Sequence, residues 1–291
     1  MKSAAFAYHA PAAVGEAAAL LAAHGERARV LAGGQSLVPL MHRRIERPEH
    51  LVDLNRVAGL DRLEAGPEGL RIGATARQRQ VESDPAVAAR WPLLAEAIAE
   101  VAHPAIRNRG TVVGSLCNAD PSAELPSAAL ALEGTIVAAG ADGEREIPLA
   151  DFFTGPGETA LSRSELALEL RLPAPPPRTG SAWLELARRG GDLPVAGVAA
   201  VVSLDADGRC ERVRLVCANA APVPLDCRFQ AEALLGAAVD EEGAAAVGAA
   251  VAAAAGPVDD YQGSAVERRR VLAVLVRRAL LLAAERAGGR S

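Results

Sequence analysis

Short apolar runs and helical periods alternate along the whole chain. Over residues 12–24 the apolar positions recur at helical spacing, with Val14, Ala18 and Leu21 on one side and Gly25 as a stop. Residues 28–31 predict a short buried strand that runs directly into Ala32-Gly33-Gly34-Gln35-Ser36, so a strand feeds a glycine turn. Further strands are predicted at 50–54, 60–65 and 70–73, and a helix at 92–101, which together suggest an α+β unit. The stretch 103–126 shows no period and is expected to be a loop, although it is too long and too structured in composition for a simple linker.

Strands are predicted at 135–139 and 166–172, and Pro173-Ala174-Pro175-Pro176-Pro177 is the clear linker. The main boundary is expected there, giving a first domain over 1–177, with subdomains of about 1–58 and 59–177, and a second over 178–291. The last third predicts strands at 198–204 and 213–218 and helices at 229–235, 241–255 and 266–287. In the final helix Val271, Leu272, Leu275, Val276, Ala279 and Leu282 share a face, which turns Arg277 and Arg278 outward. These elements predict a sheet with helices on one side. No internal repeat is present, which argues against a solenoid.

Composition narrows the function. With 291 residues and 50% hydrophobic content the chain can bury the core of more than one domain. Its net charge of -5 is spread among scattered acids and arginines, so no basic stripe exists to neutralise phosphates and nucleic acid is not expected as a partner. The N-terminus lacks the charged start and apolar run of a secretory signal. The Ala-rich stretch 243–256 is shorter than the roughly 20 residues a spanning helix needs, so no transmembrane segment and a cytoplasmic location are expected. Cys117, Cys210, Cys217 and Cys227 form no CxxC pair, which predicts reduced structural thiols and puts any iron–sulfur cluster on another chain. His9, His24, His42, His50 and His103 show no metal-ligand spacing, so no metal site is expected.

Two constellations carry chemistry. In Val30-Leu31-Ala32-Gly33-Gly34-Gln35-Ser36-Leu37 two glycines allow a sharp turn, and successive N–H groups can form an anion-binding nest suited to a pyrophosphate. The segment is not GxGxxG, so a Rossmann site is not indicated. The second constellation is Arg107-Asn108-Arg109-Gly110-Thr111-Val112-Val113-Gly114-Ser115-Leu116, followed by Cys117-Asn118-Ala119-Asp120-Pro121-Ser122-Ala123-Glu124-Leu125-Pro126. Small residues permit close backbone approach to a bulky cofactor. The carboxylates Asp120 and Glu124 suit ribose hydroxyls, although a long Asx-rich surface loop has the same composition.

In this order, and about 75 residues apart, the two constellations resemble the FAD-binding subunits of the xanthine dehydrogenase and carbon monoxide dehydrogenase family. Arg47-Pro48 with Leu51-Val52-Asp53-Leu54, Ile72-Gly73-Ala74, Asp151-Phe152-Phe153-Thr154-Gly155, and Ala187-Arg188-Arg189 with Gly191-Asp192 extend the resemblance over nearly the whole chain. It implies a two-subdomain FAD-binding fold of the vanillyl-alcohol-oxidase type, clamping FAD between the subdomains, followed by an α+β domain whose sheet is covered by helices. By position, Val30 to Leu37 would line the FAD phosphates and adenosine side, and Thr111, Val112, Val113, Gly114 and Ser115 would form the second phosphate loop. Glu124, with Asp120 as a neighbouring candidate, would sit near the adenosine ribose or flavin tail, and Ala167 would supply a backbone contact to the isoalloxazine ring.

The resemblance also implies partners: a large subunit with a molybdenum cofactor and a small one with two [2Fe–2S] clusters, assembled as a dimer of heterotrimers. The chain would pass electrons from those clusters to a quinone, O₂ or NAD⁺ and needs no catalytic acid or nucleophile of its own. A stand-alone flavin oxidoreductase, or a structural subunit without FAD, are the other readings. Val113 stands where the family has the first glycine of a pair, so either its φ is negative or the loop is reshaped. Cys117 replaces a small residue, and Glu267 stands where a Tyr often precedes Arg268-Arg269. Arg188-Arg189 is a solvated or interdomain charge pair or a flavin contact, and His42 and His103 are conceivable attachment points in a family that holds FAD non-covalently.

Overall fold

The computed structural model describes residues 2–141 and 143–289. Its N-terminal unit is a parallel sheet of β1 (Ala7–His9), β2 (Ala28–Leu31) and β3 (His50–Asp53) in the order β1-β3-β2. Helix α1 (Val14–His24) connects the first two strands and α2 (Leu37–His42) follows the glycine turn. Helix α1 buries Ala17 and Leu21 and stops where expected: Gly25, at φ 53°, donates its N–H to the Leu21 carbonyl.

The second unit is an antiparallel sheet of β4 (Leu63–Gly66), β5 (Gly69–Gly73), β6 (Thr135–Gly140), β7 (Gly143–Pro148) and β10 (Leu166–Pro173), ordered β4-β5-β10-β6-β7. A short helix, α9 (Leu149–Phe152), and a small hairpin, β8 (Phe153–Gly155) and β9 (Glu158–Thr159), precede β10. Between β5 and β6 the chain leaves the sheet through α3 (Gln78–Glu82), α4 (Pro85–Arg90), α5 (Pro92–Glu100), α6 (Pro104–Arg107), α7 (Val112–Asn118) and α8 (Glu124–Ala131). Three of these helices occupy the stretch read as a loop. Each has at most eight residues, too few for a visible period, and they start on local devices: Pro104 in the first turn of α6 and the Thr111 hydroxyl accepting from Gly114 N–H at 3.1 Å in α7.

The last third holds β11 (Thr179–Leu186), β12 (Ala196–Leu204), β13 (Cys210–Ala218) and β14 (Leu225–Asp226) in sequential antiparallel order. Its helices are α10 (Arg228–Ala231), α11 (Glu241–Ala254) and α12 (Ala265–Ala287); the helix expected at 229–235 is the short α10 followed by a 3₁₀ turn. The helices of this domain lie on one side of its sheet, as expected, and the first domain covers the other. Val198, Ala200, Val202, Leu215 and Cys217 pack with α11 and α12, whereas Trp183, Ala199, Val216 and Ala218 join the core of the first domain, against α5 and α8. The near-continuous apolar run of β12 is what burial on both faces requires. Specific bonds seal the contact: Trp183 N–H to Glu96 (3.0 Å), Asn219 N–H to the Pro121 carbonyl (2.7 Å), and Arg286 to Glu96 (2.7 Å).

Buried Arg268 anchors the start of α12 from inside the protein. It donates to the Val258 carbonyl (2.9 Å) and the Asn219 side chain (3.1 Å) and pairs with Asp260. Arg278 faces solvent as expected; Arg277 is half-buried and pairs with Glu241 of α11.

Candidate functional site

Strand β2 ends at Leu31, and the chain turns through Ala32-Gly33-Gly34 into α2, with Gly34 at φ 74°. Four successive N–H groups, those of Gly33, Gly34, Gln35 and Ser36, have no acceptor among the described residues, and all four residues are at least partly exposed. Such a run of free amides is a concavity for an anion. The Gln35 side chain stiffens it by donating to the Gly33 carbonyl at 3.1 Å.

The second constellation folds directly against the first. A Cβ on Gly33 would stand 2.5 Å from the Arg109 carbonyl oxygen, 2.9 Å from Gly110 Cα and 3.1 Å from Thr111 N. The two glycine segments therefore meet backbone to backbone, and Gly33 is needed for that contact more directly than for leaving room to a phosphate. In α7, Val112 and Val113 bury their side chains, so they can offer a ligand only backbone; Gly114 and Ser115 are partly exposed. Val113 is helical, with a negative φ, so the β-branched residue sits there without strain.

Asn55 and Arg77, which the sequence reading passed over, lock the two segments together. The Asn55 amide donates to the Ala32 carbonyl at 2.9 Å, and the Arg77 guanidinium binds both Asn55 and the Arg109 carbonyl, the latter at 2.7 Å. Asp53 orients Asn55 by accepting its N–H at 2.9 Å, and Tyr8 donates to the same carboxylate at 2.6 Å. Burial opposes the charge on Asp53, but the bonds from Tyr8 and Asn55 outweigh it and hold the carboxyl below its ordinary value. Burial and the neighbouring Arg109 lower the Arg77 pKa, the signature of two cations crowded at one place. A cleft of about 410 Å³ lined by Asn55, Asp61, Thr75, Arg77 and Gln80 opens beside them. The legible signal was Asp53-Leu54-Asn55 at a strand end, a spacing that suits an Asx turn. A second cavity of similar volume, about 420 Å³, lies at the proline linker and shares none of these residues.

Glu124 opens α8 and is 3% exposed, which changes the expectation of an ionised carboxylate. Burial pushes its pKa up to about 8, and Glu185 on β11, itself raised to about 7 by burial, adds repulsion. At neutral pH Glu124 is thus mainly a neutral acid that can donate as well as accept. An acid raised in the fold costs stability as pH climbs from 4.5 to 8, the cost being full above 8 and absent below 4.5. Glu124→Gln in the flavin-free protein should therefore gain about 3 kcal/mol more stability at pH 9 than at pH 6, measured by urea unfolding. A gain independent of pH would remove the raised acid from this position. Asp120 lies in the turn before α8 and accepts from Ser122 N–H at 2.9 Å. Ala167 sits in central strand β10, where the pairing with β6 shifts register between Ala167 and Glu169, and α7 packs on that strand.

The remaining candidates sort by environment. Arg188 donates to the Gln262 carbonyl at 3.0 Å and Arg189 is solvated, so the pair belongs to the last domain and its surface. Burial pushes the Cys117 thiol up to about 12, which makes it inert; Cys217 and Cys227 lie 3.8 Å apart as free thiols. The histidines are dispersed only in sequence: His9, His24 and His50 converge.

Residues 4–175 match the model of the FAD binding domain in molybdopterin dehydrogenase. The chain belongs to that family.

Residues 181–283 of this molybdopterin dehydrogenase subunit match the CO dehydrogenase flavoprotein C-terminal domain. It is 40% identical to the carbon monoxide dehydrogenase medium chain of Hydrogenophaga pseudoflava over 81% of this chain and 82% of that one. It is also 40% identical to the 6-hydroxypseudooxynicotine dehydrogenase complex subunit alpha of Paenarthrobacter nicotinovorans, over 81% and 79%. In structure it superposes on carbon monoxide dehydrogenase from Hydrogenophaga pseudoflava with a TM-score of 0.94 at 38% identity, covering 97% of this chain and 98% of the other. Quinoline 2-oxidoreductase from Pseudomonas putida gives 0.92 at 34%, covering 99% of each. The protein is thus a FAD-binding subunit of the molybdenum hydroxylase type, with an α+β fold in two domains. Among the described residues no helix is long and apolar enough to cross a membrane. The departure at Glu267 has a local role: its N–H donates to Ser264 at 3.2 Å and its charge faces the α12 N-terminus.

Proposed function

We propose that this subunit takes electrons from [2Fe–2S] clusters on a small partner subunit and passes them through FAD to an external acceptor such as a quinone, O₂ or NAD⁺. A large partner subunit with a molybdenum cofactor would meet the organic substrate, in a dimer of heterotrimers. The supporting observation is the backbone contact of Gly33 with Arg109, Gly110 and Thr111, with four free N–H groups in the adjoining turn. Those donors, with the cationic Arg77 and Arg109 nearby, fit the two negative charges of a pyrophosphate. FAD, once bound, supplies the one- and two-electron chemistry.

In this reading Val30 to Leu37 and Thr111 to Ser115 hold the phosphates, with Val112 and Val113 acting through backbone alone. Asn55 and Arg77 fix the spacing of the two segments. Glu124, as a neutral acid, and Asp120 would meet the ribose or flavin tail, and Ala167 would contact the flavin ring by its backbone. The domain division at the proline run, with a split of the first domain near residue 58, belongs to the same proposal. Glu124 and Glu185, both poised near neutrality, are what a stand-alone flavin oxidoreductase acting on a small molecule would use as proton donors.

A visible absorption spectrum of the tagged chain, purified gently from its native host with partners attached, separates these readings. Flavin bands with an iron–sulfur shoulder are expected. Flavin bands alone would favour the stand-alone enzyme, and a colourless protein would leave a structural subunit.

A further inference from the structure

Three histidines from three separate elements meet beside the N-terminal sheet. His9 ends β1, His24 ends α1 and His50 opens β3. The rings of His24 and His50 stack at 3.5 Å between centroids, 8° from parallel, and His9 stacks on both at 5.7 and 5.3 Å. His9 Nε2 lies 3.0 Å from His50 Nδ1, and one nitrogen of each ring falls within 4.8 Å of the others. His24 Nδ1 is shielded from solvent and has no hydrogen-bond partner. A nitrogen buried without a partner is a cost that a ligand would remove.

We infer that His9, His24 and His50 form a site for a divalent transition-metal ion, with zinc the best match, that staples β1 and α1 to β3. The chemistry of the three groups carries this. Neutral imidazole is the liganding form of histidine. Two stacked imidazolium rings 3.5 Å apart would repel each other, and the bond between His9 and His50 requires a lone pair on one of its two nitrogens. Around the cluster Glu49 pairs with Arg27 at 3.3 Å, so the surrounding charge is balanced and does not repel a cation.

Zinc bonds nitrogen at about 2.0–2.1 Å and holds tetrahedral ligands about 3.3 Å apart. The His9 and His50 nitrogens 3.0 Å apart are already near that spacing, the nitrogens farthest apart, within 4.8 Å, need to close by up to about 1.5 Å, and the nearly parallel rings of His24 and His50 must fan open. All three side chains are partly exposed, so the rings have room to turn and solvent can supply the fourth ligand. Three imidazoles without a thiolate or carboxylate in the set favour zinc, nickel or copper over magnesium or calcium. The site is separate from the proposed FAD loops: His50 pairs with Ala28 at the start of β2, whereas the glycine turn follows the other end of that strand.

Zinc chloride titrated calorimetrically into the chelator-treated, flavin-loaded protein, carrying no histidine tag, tests this. One zinc per chain is expected. His24→Ala and His50→Gln should each weaken binding by about 100-fold while keeping flavin content, which reports that the domain is folded. Cys217→Ser should bind zinc as the wild type does. Absence of binding, binding unchanged in both histidine variants, or binding lost in Cys217→Ser would overturn the site. Zinc should also raise the melting temperature of the wild type and leave that of His24→Ala unmoved.

Discussion

Gly33→Val should purify with less than about one-tenth of the wild-type flavin, because its Cβ has no room against the Arg109 carbonyl 2.5 Å away. Backbone on both sides must part, and Asn55 and Arg77 cannot follow without losing the Ala32 or the Arg109 carbonyl. A loss of only 1.4 kcal/mol in binding is already tenfold, and one displaced free amide removes that much. Gly34→Val should act by a different route. Its φ of 74° costs a β-branched residue at least about 1–2 kcal/mol even where the side chain finds space. Cys210→Ser, buried in the core of the last domain, should leave flavin unchanged. The check is flavin released by heating, per chain. Full occupancy in Gly33→Val would mean that the two segments do not share one ligand.

Arg268→Met should lower the unfolding free energy by about 3–5 kcal/mol, the range for breaking a buried ion pair. The guanidinium is inaccessible to solvent and gathers Val258, Asn219 and Asp260 at the start of α12. Removing it orphans the Asn219 oxygen and leaves Asp260 without its cation. Arg268→Lys should recover only part of the loss, because one ammonium cannot span acceptors that diverge around a planar fork. The Arg268 ion pair holds the Asp260 carboxyl below its ordinary 3.8. Its contribution is complete above pH 3.8 and is lost as pH falls through the lower folded value, so the difference between wild type and Arg268→Met should shrink in acid. Urea unfolding at pH 7 and pH 3 measures both effects. A loss under 1 kcal/mol at pH 7 would make the clamp dispensable.

Much of this protein is legible in its sequence. Strand β2 running into Ala32-Gly33-Gly34, the stop of α1 at Gly25 and the amphipathic α12 all follow from local rules of period, turn and cap. Helices α6 and α7 were not legible, because four to seven residues carry less than two turns of period and their starts depend on Pro104 and Thr111. Strand β11 was missed since its mixed composition carries no clear alternation; its burial comes from α12 on one side and α5 on the other.

The sequence by itself determined the family, the α+β class and the two glycine segments, because these depend on residue types at short, fixed spacing. Only the tertiary structure decided what those residues touch. It brought Gly33 against Arg109, tied Asn55 to Arg77, buried Glu124 deeply enough to keep its proton, and gathered His9, His24 and His50 from three elements. Each of these is a contact across 15 residues or more, or a burial, and neither is encoded in local spacing: both arise when separate elements pack into one core.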